Sequence, residues 1–202
     1  MTQTVQQKVL SRIHGHKRGW AFTPSHFLDV GSYEAVALAL KNLCDNGKIR
    51  RLARGLYDYP RQHPKLGTLS ARPEQIAQAL ADKDKSRFQP SGAYAANLLG
   101  LSEQVPAKVV FLTDATERKV KFGRQEIILK RTTPKNMATA GRVSGLVIQA
   151  LRYLGKQHVD DALIDRLAQR LGPTERQQLM KDIRYAPAWI GAIFRRLAQE
   201  DN

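Results

Sequence analysis

Lys48, Arg50, Arg51 and Arg54 fall within one seven-residue stretch. Cationic side chains packed this closely can neutralise phosphate oxygens, which is how a protein grips a nucleic-acid backbone without reading its bases. Upstream, Ser32, Tyr33, Lys41 and Asn42 share one amphipathic stretch. A hydroxyl there can touch a phosphate, and an asparagine can pair with adenine. A second cluster, Arg118, Lys119, Lys121, Arg124, Lys130 and Arg131, lies in residues 118–135, which hold seven Lys/Arg and one Glu. A strand with one solvated face explains such alternation, and a second nucleic-acid contact explains its excess of charge.

Other chemistries lack their residue sets. The five histidines (14, 16, 26, 63 and 158) show neither HxxxH nor HExxH spacing. Asp160, Asp161 and Asp165 could hold Mg²⁺ in a nuclease, but they open an amphipathic helix, where acidic residues complement the dipole. Ser91-Gly92 and Ser144-Gly145 lie outside any G-x-S-x-G frame, and no phosphate-binding loop of P-loop form occurs. The single cysteine, Cys44, excludes an intrachain disulfide framework and reads as a small buried residue. The expectation is a protein that is not an enzyme, with no cofactor and no metal.

The basic residues need elements to position them. Val5, Val9, Leu10 and Ile13 recur at helical spacing. Gly15 and Gly19 then bracket a short basic hinge, His16-Lys17-Arg18, and Trp20-Ala21-Phe22 reads as a short strand. Thr23 and Pro24 open a short helix to Val30. Ser32 caps the next helix, whose apolar face is Tyr33, Val36, Ala37, Leu40, Leu43 and Cys44. Its other face carries Glu34, Leu38, Lys41, Asn42 and Asp45, few of them good base readers. Asn46-Gly47 is a turn, and Arg54-Gly55 is the tip of a hairpin that Pro60 stops.

Helix, short strand, helix, helix and hairpin is the order of a winged helix-turn-helix domain, placed at residues 1–66 with Lys48, Arg50, Arg51 and Arg54 on the wing. Residues 60–72, with two prolines and a glycine, read as a linker. Residues 67–202 read as an α+β domain. Its parts are a helix from Pro73, a charged loop at 82–87, a helix from Gly92 to Leu99 and a buried strand at Lys108–Leu112. A cationic hairpin turning at Gly123-Arg124 follows. Amphipathic helices then run at Gly141–Leu154 and Val159–Leu171, from an N-cap at Thr174, and around Trp189–Leu197. The fold class expected is α+β, with a small sheet and a helical bundle in the second domain.

The bulk charge agrees with a polyanionic partner. The 202 residues hold 33 Lys and Arg against 18 Asp and Glu, a net +15. Residues 1–66 alone carry 11 Lys/Arg and four Asp/Glu. Such a balance suits nucleic acid, an anionic membrane surface or an acidic protein. The opening MTQTVQQKVLSRIHGHKRGW has no apolar secretory core, so the expected place is the cytoplasm.

Three phrases taken together carry a resemblance: GKIRRLARGLYDYP (47–60), QPSGAYAANLLGLSEQVPAKVVFLTD (89–114) and ILKRTTPKN (128–136). In this order and spacing the chain resembles the AbiEi-like winged-helix antitoxins and regulators of AbiE-type toxin–antitoxin systems, over roughly residues 3–197. The resemblance implies an N-terminal winged helix and a C-terminal α+β domain. It implies binding to inverted repeats in the protein's own promoter, and hence autorepression. It also implies a cognate nucleotidyltransferase-like toxin, countered without a stable complex in the type IV manner, as in phage defence. Carried over by residue, Ser32, Tyr33 and Lys41 on the recognition helix and Arg50, Arg51 and Arg54 on the wing become DNA contacts. PSGAYAANLLGL (90–101) becomes structural or antitoxic. Two alternatives stay open: a stand-alone regulator without a toxin, and a basic module that docks on an acidic protein.

Overall fold

The computed structural model describes residues 3–199. The described residues up to Ser86, together with Val120–Phe122, form one compact unit; Arg87–Lys119 and Gly123 onward form a second. The class is α+β in both sequence order and content.

The first unit begins with α1 (Val5–Gly15). A reciprocal capping box starts it: the Gln7 amide donates to Thr4 Oγ1 (3.2 Å) and the Thr4 amide to Gln7 Oε1 (2.9 Å). Val9 and Ile13 are buried, as their spacing predicts. Arg12 donates to Asp29 Oδ1 and Oδ2 (2.7 and 2.6 Å) and to the His26 carbonyl (2.7 Å). This hydrogen-bonded guanidinium holds the Asp29 carboxyl down at about 2. β1 (Ala21–Phe22) follows, then a single 3-10 turn, Pro24–Phe27, where a helix to Val30 was expected. Phe22 and Phe27 meet edge to face at 5.5 Å in the core, with Trp20 against both.

α2 (Tyr33–Asp45) is capped by Ser32, whose Oγ accepts the Ala35 amide (3.3 Å). It buries Val36, Ala39, Leu40 and Leu43. That stripe is narrower than the half-cylinder read from the sequence. Tyr33, expected in the core, is 57% exposed because it stands at the edge of the stripe in the first turn. Cys44 is only half-buried. Gly47, at φ +67°, ends the helix with the Lys48 amide donating back to the Leu43 carbonyl (2.9 Å).

β2 (Arg50–Ala53) and β3 (Leu56–Asp58) close over a two-residue loop, Arg54-Gly55, and β1 joins them in the order β1-β3-β2, all antiparallel. The ladder shifts register between Arg51 and Ala53, leaving Leu52 as an extra residue.

Residues 60–72 are not a free linker. β4 (Gln62–His63) pairs with β5 (Gly67–Thr68), and the Leu69 amide donates to the Arg61 carbonyl (2.9 Å). α3 (Pro73–Asp84) then runs through part of the expected charged loop and stops at Lys85, the one non-glycine residue with positive φ among those described. It buries Ile76, Ala77, Ala79, Leu80 and Ala81, and His26 Nε2 lies 3.3 Å from Asp82 Oδ2. α3 therefore belongs with the first unit, and the division falls after Ser86 rather than at 66/67.

The second unit opens with β6 (Phe88–Ser91), a strand the sequence reading does not contain. Pro90 is tolerated because β6 is an edge strand. α4 (Gly92–Leu98), β7 (Lys108–Thr113), β8 (Arg118–Phe122, whose last three residues count with the first unit) and β9 (Gln125–Arg131) follow, and the sheet order is β6-β7-β9-β8. β7 and β9 are parallel, with Val109 beside Ile127 and Phe111 beside Leu129.

Helices α5 (Pro134–Met137), α6 (Val143–Leu154), α7 (Asp161–Arg170), α8 (Pro173–Lys181) and α9 (Ala188–Gln199) complete the unit. α8 is capped at Gly172, with Pro173 as its first residue, rather than at Thr174. Leu151, Leu167, Leu179 and Phe194 centre the core. Within it Asp182, 2% exposed, accepts from Arg142, Ser144 and Gln178, so Ser144 serves as a buried donor. Among the described residues no helix is long and apolar enough to cross a membrane.

Candidate nucleic-acid interface

The exposed face of α2 and the β2–β3 hairpin meet in a groove of about 330 Å³ lined by Ala37, Lys41, Cys44, Asp45, Arg51 and Tyr57. Lys41 comes from the middle of the helix and Arg51 from the first strand of the hairpin. The 3.6-residue period aligns Ala37, Lys41 and Asp45 as successive turns of one row. The bulge at Leu52 sets Arg51 opposite Tyr57. Tyr57 is nearly buried, and burial pushes its phenol pKa up, against the nearby Arg51 charge. At neutral pH its hydroxyl therefore stays protonated and able to donate.

The eight residues expected to contact DNA separate in this geometry. Ser32 is exposed at the N-cap of α2 with its Oγ engaged by the helix. Tyr33 and Lys41 are exposed, and Lys48 is exposed just past the helix. Asn42 turns toward α1, where its Nδ2 donates to Gln6 Oε1 (3.4 Å). Arg50 turns inward: Nε and Nη2 donate to Asp58 Oδ1 and Oδ2 (3.0 and 2.7 Å), and Nη2 also donates to the Leu69 carbonyl (3.1 Å). Asp58 is 1% exposed, and a carboxylate so buried requires a charged partner. Arg50 is thus held by the fold, contrary to its expected place on the DNA surface. Arg51 and Arg54 are exposed. Arg54 stands at the hairpin tip beside Gly55, whose φ of +70° permits the tight turn.

Two residues of the α2 face matter more than their types suggest. Leu38 is 59% exposed and Tyr33 57%, two apolar side chains standing on the outer surface of α2. Asp45 places a carboxylate in the groove beside two cations.

The cationic hairpin of β8 and β9 alternates as expected. Lys119, Lys121, Arg124, Lys130 and Arg131 are exposed, while Ile127 and Leu129 are buried and Val120 and Phe122 half-buried. Lys119 Nζ lies 3.4 Å from Glu117, and Arg118 is half-buried and engaged. Gly123, at φ +58°, makes the turn.

The carboxylates considered for metal chemistry are engaged otherwise. Asp160 caps α7 by accepting the Leu163 amide (2.8 Å). Asp161 and Asp165 both face Arg196. No group of three or more His, Cys, Asp or Glu among the described residues could hold a metal ion.

A sequence profile described as a family of unknown function, DUF6088, matches residues 8–179. No curated protein matches the chain. Among solved structures, the RV2827C protein from Mycobacterium tuberculosis is similar over 98% of this chain and 78% of its own, at 13% identity and a TM-score of 0.48.

Proposed function

We propose that this chain, which belongs to the DUF6088 family of unknown function, binds double-stranded DNA through residues 5–58, acting as a winged helix. One observation carries the reading: Lys41 on the exposed face of α2 and Arg51 on the adjoining hairpin line a single groove. A helix and a charged hairpin side by side suit a duplex. The helix enters the major groove with Tyr33, Leu38 and Lys41, and Arg51 and Arg54 take phosphates or the minor groove. Lys48 adds a backbone contact. Leu38 can meet a thymine methyl, but the face offers little hydrogen-bond readout. Recognition then rests on phosphate geometry and DNA shape more than on a base code.

The biological role follows from the AbiEi-like phrases of the sequence. The protein would repress its own promoter by binding inverted repeats and, where a nucleotidyltransferase-like toxin is encoded beside it, act as the antitoxin of a type IV system. The β8–β9 hairpin is a second basic surface, with Lys119, Lys121, Arg124, Lys130 and Arg131 exposed. A cytoplasmic location goes with this role. A second reading draws on exposed Tyr33 and Leu38, which also suit docking on an acidic protein.

Titration of the chain with a duplex from upstream of its own gene separates the two. Charge reversal of Arg51 and Arg54 together should lower affinity about a hundredfold or more, since each charge-assisted contact is worth about 1.5–3 kcal/mol. Unchanged affinity, with co-purification of a stoichiometric acidic protein, would select the docking reading.

A further inference from the structure

Between the loop after α1 and the chain leading into α3 lies a second cleft, of about 400 Å³. Its walls are His16, Lys17, Arg18 and Trp20 on one side and Arg61, Arg72 and Gln75 on the other. Among the described residues no carboxylate lines it. In sequence these residues are the basic hinge and two arginines more than forty positions away; only the fold gathers them. β1 pairs Ala21 with Asp58, so this loop stands at the end of β3 away from the Arg54-Gly55 tip. The cleft is therefore distinct from the α2–hairpin groove.

Two of its cations are held in place. Arg18 Nη1 donates to the Pro60 carbonyl (3.0 Å), and its guanidinium lies 4.5 Å from the centre of the Tyr59 ring, which leaves further N–H groups unused. The stem of Arg61 lies against Gly19, where a Cβ would stand 3.0 Å from Arg61 Cδ, and Gly19 has φ +99°. Both the turn and the arginine thus require glycine at position 19. The His16 ring stacks on Trp20 with 3.6 Å between centres, forming an aromatic wall.

The contrast with the rest of the unit is informative. Arg12 and Arg50 are matched with Asp29 and Asp58. Lys17, Arg61 and Arg72 have no side-chain hydrogen bond or ion pair among the described residues. Four permanent cations facing one cleft repel each other, and a bound anion relieves that repulsion.

We propose that this cleft binds a phosphate group, held by Lys17, Arg18, Arg61 and Arg72. Its volume suits a small ligand. The phosphate can belong to a free phosphoanion or to the backbone of a bound duplex; only the second form rests on the DNA reading above.

The test uses the full chain, pyrophosphate and a duplex of arbitrary sequence, each titrated calorimetrically. The cleft variant is Lys17→Gln with Arg72→Gln, both exposed positions. The control is Arg51→Gln with Arg54→Gln. A free-ligand site predicts pyrophosphate binding that the control retains and the cleft variant weakens about tenfold or more. A backbone site predicts no pyrophosphate binding, with duplex affinity falling about tenfold in the cleft variant and its log–log salt slope by about 2. Three results would overturn the proposal: no effect of the cleft variant on either titration, equal loss of pyrophosphate binding in both variants, or no binding of either probe by the parent chain. The DNA reading fails separately, when the control keeps full duplex affinity.

Discussion

Arg50 and Arg51 are adjacent, identical in type and opposite in role. A hairpin closing over Arg54-Gly55 would, counted without irregularity, set Arg51 against Asp58 and leave Arg50 outside. The extra residue at Leu52 shifts the ladder, so Arg50 faces Asp58 and Arg51 faces Tyr57. That one-residue shift decides which arginine is structural, because side chains alternate along a strand. Arg50→Ala would leave the Asp58 carboxylate buried and unpaired, which should cost about 3–5 kcal/mol. Arg51→Ala and Arg54→Ala, both exposed, should change stability by less than about 0.5 kcal/mol. Chemical denaturation of the three variants checks this split; equal losses would contradict the pairing described here. The basic cluster of Lys48 and the three hairpin arginines was legible in the sequence, but its division into fold and surface was not.

At the level of elements, the longer helices and the hairpin tips were readable because their signals are local, whereas the helix expected from Pro24 to Val30 is a single 3-10 turn and α5 was not expected. Ser32 caps α2, and Gly55 and Gly123 turn the two hairpins. β6 was not readable: four residues containing a proline carry no strand signal until β7 pairs with them. The start of α6 was also displaced, from Gly141 to Val143. Gly145, in its first turn, shows why small residues cluster there. A methyl group at Gly145 would collide with the Thr139 carbonyl and stand 2.5 Å from Gln89 Oε1. Alanine gains about 1 kcal/mol of helix propensity over glycine, but a collision with backbone in a packed interior costs about 1–3 kcal/mol. Gly145→Ala should therefore lower the melting temperature, as calorimetry can measure; a rise would mean that Thr139 and Gln89 move aside at little cost.

For the whole molecule, a net charge of +15 makes any association with a polyanion dependent on counterions. If Lys41, Lys48, Arg51 and Arg54 are the phosphate contacts, the log–log salt slope of duplex binding should be about −3 to −4, since each phosphate contact contributes about −0.9. A slope near zero in titrations across a range of salt would argue against a backbone-driven complex. Composition, spacing and turn residues determined by themselves the α+β class, the basic character, the amphipathic α2 and the two cationic hairpins. These properties depend on residues close together in the chain, so their periodicity survives without a fold. The tertiary structure alone decided that α3 belongs with the first unit, that Arg50 faces inward, that Tyr33 faces outward and that Arg61 and Arg72 join the 16–20 loop around one cleft. Each of those facts depends on which distant residues packing brings opposite one another, and for Arg50 on the need of the buried Asp58 carboxylate for a charged partner.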